Sequence, residues 1–203
     1  PTAEDLCAEA ALVRPQPMAP HPPLISIVGK SDAGKTTFLE KLVRTLRGRG
    51  HRVGTIKHDV HGFDIDHEGK DSWRHKKAGA LSVAISSPGK VAVIRDVAAE
   101  ETLEGLVEKY FLDMDLILTE GYKKENKPKI EVFRSGVHDA PLCRDDPSLV
   151  AFVSDVPMDL NVPCFGLEDI DHVADLVEET FLVHRFVNSV TNLLTQDEVL
   201  SEQ

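Results

Sequence analysis

The most specific chemistry in the sequence is carried by a short segment near its start. Positions 29–36 read Gly-Lys-Ser-Asp-Ala-Gly-Lys-Thr and fit the pattern G-x-x-x-x-G-K-[ST] at every fixed position. The glycines let the backbone curl so that several amide N–H groups point at one anion. Lys35 can reach the β- and γ-phosphates of a nucleotide, and the Thr36 hydroxyl can coordinate Mg²⁺. The motif therefore predicts a P-loop that binds a nucleoside triphosphate with magnesium.

The interior of this loop is expected to act mainly through its backbone. An apolar segment precedes the loop and a helix-periodic segment follows it, so the amides should lie at a helix start, where the helix dipole favours anions. Lys30 has two interpretations. It resembles the extra lysine of deviant Walker A loops, which reaches phosphate across a dimer interface, or it is a solvated surface lysine. The predicted cradle comprises Gly29, Lys30, Asp32, Ala33, Gly34, Lys35 and Thr36.

A carboxylate at the end of a neighbouring strand is expected beside the magnesium. A buried strand is predicted to end at Glu120, which is the preferred candidate, whereas Asp115 lies at the other end of that strand. Asp59 is a second candidate, because it follows the strand predicted after the P-loop helix and can reach the magnesium shell directly or through water. Lys57, at the end of that strand, is either a phosphate contact or a surface residue. Glu120 and Asp59 are thus the predicted catalytic and metal-binding carboxylates, with turn capping as the alternative for Glu120.

The polar segment 58–71 is predicted to be a functional loop, because it is rich in Asp and His and shows no helical or strand period. Imidazole and carboxylate ligands suit nickel, zinc or iron, so a transition-metal site is one interpretation. No cysteine lies in the segment, and the spacings match no compact zinc pattern. A nucleotide-sensing or substrate-binding loop explains the same residues more simply.

No strong motif determines which base is bound, because the guanine-reading pattern N-K-x-D is absent. Asp155 follows a predicted strand over 149–154. A carboxylate at that position can accept hydrogen bonds from the N1–H and amino groups of guanine. The alternative interpretation of Asp155 is an ordinary loop or capping aspartate.

Alternating strands and helices are expected to position these residues. The alternation predicts an α/β fold, a P-loop NTPase three-layer sandwich with a mostly parallel sheet, helices on both faces and an inserted β-hairpin. Helical spacing continues from the P-loop to the glycines at 48–50, and Asp71 is a candidate cap for a second helix. Strands are predicted at 24–28, 52–57, 81–86, 90–95, 115–119, 129–134, 149–154 and 163–166, and further helices at 71–78 and 102–111.

Three segments are predicted along the chain. Residues 1–23 hold six of the twelve prolines and are predicted to form a flexible lead. Residues 24–170 are predicted to form the nucleotide-binding domain. Residues 171–203 continue with helical spacing and are predicted to form a C-terminal helical extension.

Composition limits the classes of partner. The formal net charge of −11 gives no broad attraction for nucleic acid or anionic membranes, so phosphate must be held locally by a few lysines and amides. No apolar run approaches the roughly 18 residues needed to span a bilayer, and no signal peptide is visible. The three cysteines lie far apart, which is typical of reduced thiols. We therefore expect a cytoplasmic protein without nucleic-acid or membrane partners.

Several sequence blocks, in order, resemble the molybdopterin-guanine dinucleotide biosynthesis protein B (MobB) family. The Asp-rich block and the Glu-Gly-Tyr-Lys block are more specific than the P-loop, and the likeness covers about residues 24–170. The blocks are the P-loop, Thr-Ile-Lys-His at 55–58, Phe-Asp-Ile-Asp at 63–66, Gly-Lys-Asp-Ser-Trp-Arg at 69–74, Ala-Gly-Ala at 78–80, Thr-Glu-Gly-Tyr-Lys at 119–123 and Pro-Lys-Ile-Glu-Val-Phe-Arg at 128–134.

The resemblance implies a GTP-binding accessory protein, a slow GTPase, in molybdenum cofactor maturation. Such a protein assists a separate guanylyltransferase that joins GMP to molybdopterin. It uses GTP with Mg²⁺, forms a homodimer through an extended sheet and associates with molybdopterin or with the transferase. By the resemblance, Gly34, Lys35, Thr36 and Thr37 would hold phosphate and magnesium, Asp59 and Glu120 would lie by metal and water, and Asp64, Asp66, Asp71, Ser72 and Arg74 would line the functional loop.

The sequence is also compatible with three other functions. A nickel-type metallochaperone GTPase would use His58 and His61 as metal ligands. A small-molecule kinase would use the same phosphate cradle with brisk turnover onto an acceptor. A dimerisation scaffold would keep the loop but bind no nucleotide.

Overall fold

The computed structural model describes residues 21–183. Most of the predicted proline-rich lead and the end of the predicted C-terminal helix lie outside the described residues. The chain divides into two compact units. The first combines the residues up to His58 with those from Val107 onward, and the second is Asp59–Leu106.

The predicted alternation of strands and helices is confirmed. The first unit contains one sheet, in which every strand pair is parallel, and the second contains an antiparallel hairpin. The elements are β1 (Leu24–Val28), α1 (Lys35–Gly48), β2 (Val53–Lys57), α2 (Asp71–Lys77), β3 (Ser82–Ser87), β4 (Lys90–Arg95), α3 (Leu103–Tyr110), β5 (Leu116–Glu120), β6 (Lys129–Phe133), β7 (Leu149–Ser154), β8 (Cys164–Gly166) and α4 (Ile170–Val177), followed by a π-helical turn, Glu178–Leu182.

The strand order of the sheet is β2-β5-β1-β6-β7-β8. Strand β1 lies near the middle and is buried along most of its length, as expected for a strand covered on both faces. Because all six strands run the same way, their carboxyl ends meet at one edge of the sheet. The loop that follows β1 therefore lies between the ends of β5 and β6.

One face of the sheet is covered by α1 and α4. Ile25 and Ile27 of β1 point to this face and share a buried cluster with Phe38 and Leu42 of α1. Helix α4 adds its own apolar stripe to that cluster, including the fully buried Val173. Each such side chain contributes about 1.5–3 kcal/mol by leaving water. The helix that follows the P-loop is thus fixed by its apolar face rather than by capping.

Ion pairs also join α1 to α4. Arg49, just after α1, binds Asp175 and Glu178 through one guanidinium nitrogen, at 2.7 Å to each. Lys41, within α1, binds Glu168 just before α4. These partly exposed pairs are individually weak. They nevertheless connect the two helices at two separate points, near Lys41 and near Arg49.

The opposite face of the sheet is covered by the segment after α3. Gly54 of β2 lies against the ring of Phe111, and Met114 packs beside it. Ile56 is nearly fully buried two residues further along the strand. The sheet is therefore covered on both faces, as the predicted three-layer sandwich requires.

The connection between β6 and β7 is anchored by two buried charged residues of β6. Glu131 is 1% exposed and accepts the backbone N–H groups of Leu142 and Cys143. Lys129 is 3% exposed and binds Asp146 at 2.7 Å. Each buried charge therefore has hydrogen-bonding partners, as burial requires. These contacts fix the part of the connection that lies shortly before β7, at residues 142–146.

The second unit contains α2 and the hairpin of β3 and β4. The prediction that Asp71 caps α2 is wrong, because Lys70 is the N-cap and Asp71 is the first helical residue. At that position the Asp71 carboxylate lies in the first turn, where negative charge complements the helix dipole. Lys76 of α2 binds Asp96, just after β4, within the same unit.

Within residues 21–183, no helix combines the length and the apolar character that a membrane span requires.

A substitution at Gly54 should destabilise the sheet. In Gly54→Ala the new Cβ would lie 2.5 Å from Cδ1 of Phe111, so the ring must shift. We expect a loss of about 1–3 kcal/mol of unfolding free energy, measured by urea denaturation. Gly48→Ala is the matched control, since nothing lies within 4 Å of its Cβ. Equal stabilities of the two variants would contradict the packing described.

Candidate nucleotide-binding site

The chain leaves β1 where no side chain fits. Gly29 has a φ of +143°, and a Cβ there would lie 2.3 Å from the backbone oxygen of Val132 in β6. An L-residue rarely adopts this φ, and the carbonyl belongs to the sheet and cannot move away. The first glycine of the motif is therefore required by the close approach of β6.

The rest of the loop winds into the start of α1. Asp32 and Gly34 have φ values of +60° and +95°, so the chain twice takes a left-handed conformation before the helix begins at Lys35. Ala33 is fully buried between them. The N-cap is Gly34, which has no side chain that could accept from the first helical N–H groups. These donors, at the positive end of the helix dipole, suit an anionic ligand.

Lys35 spans the loop. Its Nζ donates to the backbone oxygen of Lys30 at 2.8 Å, so the ammonium group lies across the turn that the loop makes. This is the position from which a P-loop lysine can reach terminal phosphates. The Lys30 side chain is half-buried, and its predicted phosphate contact remains a prediction.

A hydroxyl and a carboxylate meet beside the loop. Thr36 Oγ1 donates to Glu120 Oε1 at 2.8 Å, although the residues are 84 positions apart in sequence. Both are hard oxygen ligands, and Mg²⁺ is usually bound by one or two protein oxygens together with phosphate oxygens and waters. The pair therefore fits a nucleotide-bound magnesium ion. Thr37 follows on the exposed side of the first helical turn.

The sheet register brings Glu120 to this position. Glu120 pairs with Ile27, the last but one residue of β1, and with Lys57, the last residue of β2. Asp115, by contrast, lies at the opposite end of β5 and binds the Arg52 guanidinium at 2.8 Å. The expectation that Asp115 lies at the wrong end of the strand is confirmed. The Lys57 side chain is exposed at the same edge of the sheet.

The second predicted carboxylate, Asp59, belongs to the second compact unit. Its Oδ1 accepts the backbone N–H of His61 at 2.9 Å. The residue before it, His58, donates its backbone N–H to the backbone oxygen of Glu120 at 3.0 Å. The role of Asp59 beside the metal stays a prediction.

The Asp-rich loop has its own local contacts. Asp66 Oδ1 accepts the His67 N–H at 2.8 Å and the Ser72 hydroxyl at 3.0 Å. Arg74 lies 3.6 Å from Asp71. Across the part of the chain that the structure describes, no group of three or more His, Cys, Asp or Glu residues could hold a metal ion. The transition-metal interpretation of this loop therefore gains no support, and the role of Asp64 is untested.

Asp155 lies just beyond the end of β7, at the same sheet edge as the P-loop. Its carboxylate accepts the Ser135 N–H at 2.8 Å and the Ser135 hydroxyl at 3.2 Å. The backbone hydrogen bond from Ser135 is the main reason that the pKa of Asp155 lies below its ordinary value. Each carboxylate oxygen has two lone pairs, so a base can still donate to it. The predicted guanine contact remains a prediction.

Two further side chains reach the P-loop that the motif did not indicate. His138 Nε2 lies 2.6 Å from the Ser31 oxygen. Nη2 of Arg134 lies 3.5 Å from the place where a Cβ on Gly34 would be. Both residues follow β6. In the sequence, only the position of Arg134 directly after a predicted strand hints at a role in the site. That position points to the P-loop only when β6 lies beside β1, which the sequence alone does not show.

Comparison with known proteins agrees with this geometry. Residues 24–155 match the family model for MobB, molybdopterin guanine dinucleotide synthesis protein B. The chain belongs to the MobB family. The matched segment includes the P-loop, Glu120 and the ends of all the strands that surround them. Family membership therefore rests on the part of the chain that forms the site.

Relatives of the family are similar over most of their length. The molybdopterin-guanine dinucleotide biosynthesis adapter protein of Escherichia coli (strain K12) is 38% identical over 161 residues, which cover 77% of this chain and 92% of the relative. The adapter protein of the same name from Haemophilus influenzae is 36% identical over 157 residues, which cover 77% of this chain and 88% of the relative. The crystal structure of Bacillus subtilis MobB aligns with a TM-score of 0.65 at 28% identity, and the alignment covers 79% of this chain and 99% of that chain.

Lys35 should dominate the affinity of this site for phosphate. In Lys35→Ala the loop loses the cation that lies across it, so we expect the dissociation constant for a nucleoside triphosphate to rise at least about tenfold, measured by titration calorimetry. Lys41→Ala is the matched control, because that lysine lies in the same helix and binds Glu168 instead. An unchanged affinity in Lys35→Ala would refute the cradle assignment.

Proposed function

We propose that this protein binds GTP with Mg²⁺ at the P-loop and acts as an accessory protein in the formation of molybdopterin guanine dinucleotide. In this role it assists the attachment of GMP to molybdopterin and hydrolyses GTP only slowly. The observation that carries the proposal is the contact of Thr36 with Glu120 at 2.8 Å beside the loop, in a chain of the MobB family.

The choice of GTP rests on the chemistry of the product. Relatives are named for the biosynthesis of a guanine dinucleotide, and a guanine nucleotide must supply its guanylyl half. A P-loop in such a protein is therefore proposed to take GTP. Asp155 is proposed as the acceptor for the guanine N1–H and amino groups, while Ser135 keeps its carboxylate in place.

Magnesium would be held by the Thr36 hydroxyl and the phosphate oxygens, with Glu120 beside them. When bound, the ion neutralises charge that develops on the phosphates. Glu120 accepts the Thr36 hydroxyl hydrogen at 2.8 Å and so fixes the orientation of that hydroxyl. Glu120 and Asp59 are also proposed to orient the water that attacks the terminal phosphate. Lys57, paired with Glu120 in the register, is proposed as a further phosphate contact.

A homodimer is proposed through the β3–β4 hairpin. Within the described residues the hairpin forms a sheet of two strands, so each strand has an unpaired edge to which another chain can add. Val91 and Val93 lie on one face of it and are 67% and 51% exposed. Elsewhere in the same unit Phe63 is 75% exposed. Monomers seldom expose so much apolar surface, so a second copy of this chain is the proposed occupant.

Partners and location follow from the same role. Molybdopterin, or the guanylyltransferase that carries it, is the proposed partner of the site. The protein is proposed to work in the cytoplasm, without binding nucleic acid. The metallochaperone, kinase and scaffold alternatives have no specific observation in their favour within the described residues.

Glu120 should separate binding from turnover. In Glu120→Gln the amide keeps the shape of the side chain but loses the charge, so we expect GTP affinity within about threefold of wild type and hydrolysis about a hundredfold slower in single-turnover assays. Glu125→Gln is the same substitution on an exposed residue nearby and should leave both unchanged. Normal hydrolysis in Glu120→Gln would transfer the role to Asp59 or another group.

A charge on the hairpin should dissociate the dimer. In Val91→Glu an unpaired carboxylate would be buried in the proposed interface, so we expect the dimer dissociation constant to rise at least about tenfold, measured by light scattering across a dilution series. Leu112→Glu is the control, since Leu112 is 48% exposed but lies in the other unit. A wild-type monomer at all concentrations would refute the proposal.

A further inference from the structure

A single turn of chain after β6 packs against the P-loop. The backbone N–H groups of Val137 and His138 both donate to the Arg134 oxygen at 3.1 Å, so residues 134–138 form one compact turn. We refer to this segment as the 134–138 turn. Since β6 is the immediate neighbour of β1, this turn and the P-loop leave the sheet side by side.

The turn is held at two points. His138 Nε2 lies 2.6 Å from the Ser31 oxygen, and because a carbonyl can only accept, Nε2 must carry the proton of this hydrogen bond. On the other side Asp155 accepts both the N–H and the hydroxyl of Ser135. The turn is thus fixed between the P-loop and the end of β7, and Arg134 at its start is fixed with it.

The Arg134 guanidinium has no acceptor within the described residues. Nη2 of Arg134 lies 3.5 Å from the position of a Cβ on Gly34, close to the start of α1. Other arginines of the same unit behave differently, since Arg49 and Arg52 bind carboxylates at 2.7 and 2.8 Å. In a chain of net charge −11, carboxylate partners are abundant. Arg134 lies close enough to Asp155 for its charge to contribute to the lowered pKa of that carboxyl, yet no hydrogen bond or ion pair joins the two within the described residues. Its N–H groups beside the phosphate cradle can therefore donate to a phosphate.

We propose that Arg134 is a phosphate-binding residue of this site and that it contacts the α- and β-phosphates of the bound nucleotide. The proposal rests on the nucleotide binding proposed above. The backbone of a P-loop surrounds the α- and β-phosphates, and its lysine reaches the β- and γ-phosphates. Arg134 approaches the backbone at Gly34, so its contact complements that of Lys35. A guanidinium can bind two phosphate oxygens through two parallel N–H groups of fixed geometry, whereas a lysine offers a single rotatable ammonium group.

The same geometry gives Asp155 and Ser135 a positioning role. Their hydrogen bonds hold the residue that directly follows Arg134, so the direction of the guanidinium depends on them. Three neighbouring strand ends, those of β1, β6 and β7, would then act on one phosphate chain. Asp155 can serve this role whether or not it also contacts the base.

The test compares Arg134→Ala and Arg134→Lys with wild type by titration calorimetry, using GTP and GDP in the presence of Mg²⁺. We expect Arg134→Ala to weaken both nucleotides by about tenfold, because each retains the α- and β-phosphates. Arg134→Lys should recover part of the loss, since it restores the charge but not the two-point contact. The loss should shrink at high salt, which a purely structural effect would not do.

Arg47→Ala is the matched control, because Arg47 is exposed in the last turn of α1, away from the P-loop. It should bind as wild type does, and all variants should keep the wild-type melting temperature. Unchanged affinity in Arg134→Ala, with Lys35→Ala still impaired, would overturn the role of Arg134 alone. Loss of GTP affinity with GDP unaffected would overturn its placement at the α- and β-phosphates. Wild-type affinity in Lys35→Ala would overturn the nucleotide site itself.

Discussion

A backbone oxygen of β6 occupies the space that any side chain at the end of β1 would need. Val132 lies so close to Gly29 that the chain can leave β1 only through a glycine with positive φ. That exit directs the loop over the sheet edge and into α1, whose first amide groups then face the same side as the loop. The apolar face of α1 packs on β1 and so keeps the start of the helix next to the loop. The proposed anion site is therefore a consequence of how tightly two neighbouring strands pack.

The parallel sheet positions the other side chains of the proposed site. Four adjacent strands, β5, β1, β6 and β7, end at one edge and deliver a carboxylate, the P-loop, an arginine and an aspartate in that spatial order. Residues far apart in sequence are brought together because their strands are neighbours in the sheet, as in the contact of Thr36 with Glu120. The polar groups of the site are thus ordered by strand position, from the proposed magnesium side to the proposed base side.

The sequence was sufficient for the parts of this arrangement that are local. The P-loop and the strands before and after it follow from spacing and periodicity, and Glu120 follows from the end of an apolar strand. Arg134 and His138 could not be predicted, because their contacts depend on β6 lying next to β1, and strand order is a tertiary property that no local pattern encodes. The mistaken cap at Asp71 has a different cause. An aspartate is favourable both at the N-cap and in the first turn, so residue type alone does not separate adjacent positions.

The packing of α4 on α1 also defines how short a working form of this protein can be. The segment that matches the MobB family model ends at residue 155, yet the cluster beneath α1 includes Ile170, Val173 and Val177. A fragment trimmed to the family match would leave the apolar face of α1 partly open to water. The minimal autonomous nucleotide-binding fragment must therefore extend at least through α4. Residues beyond the segment that matches the family model are in this way part of what keeps the P-loop in place.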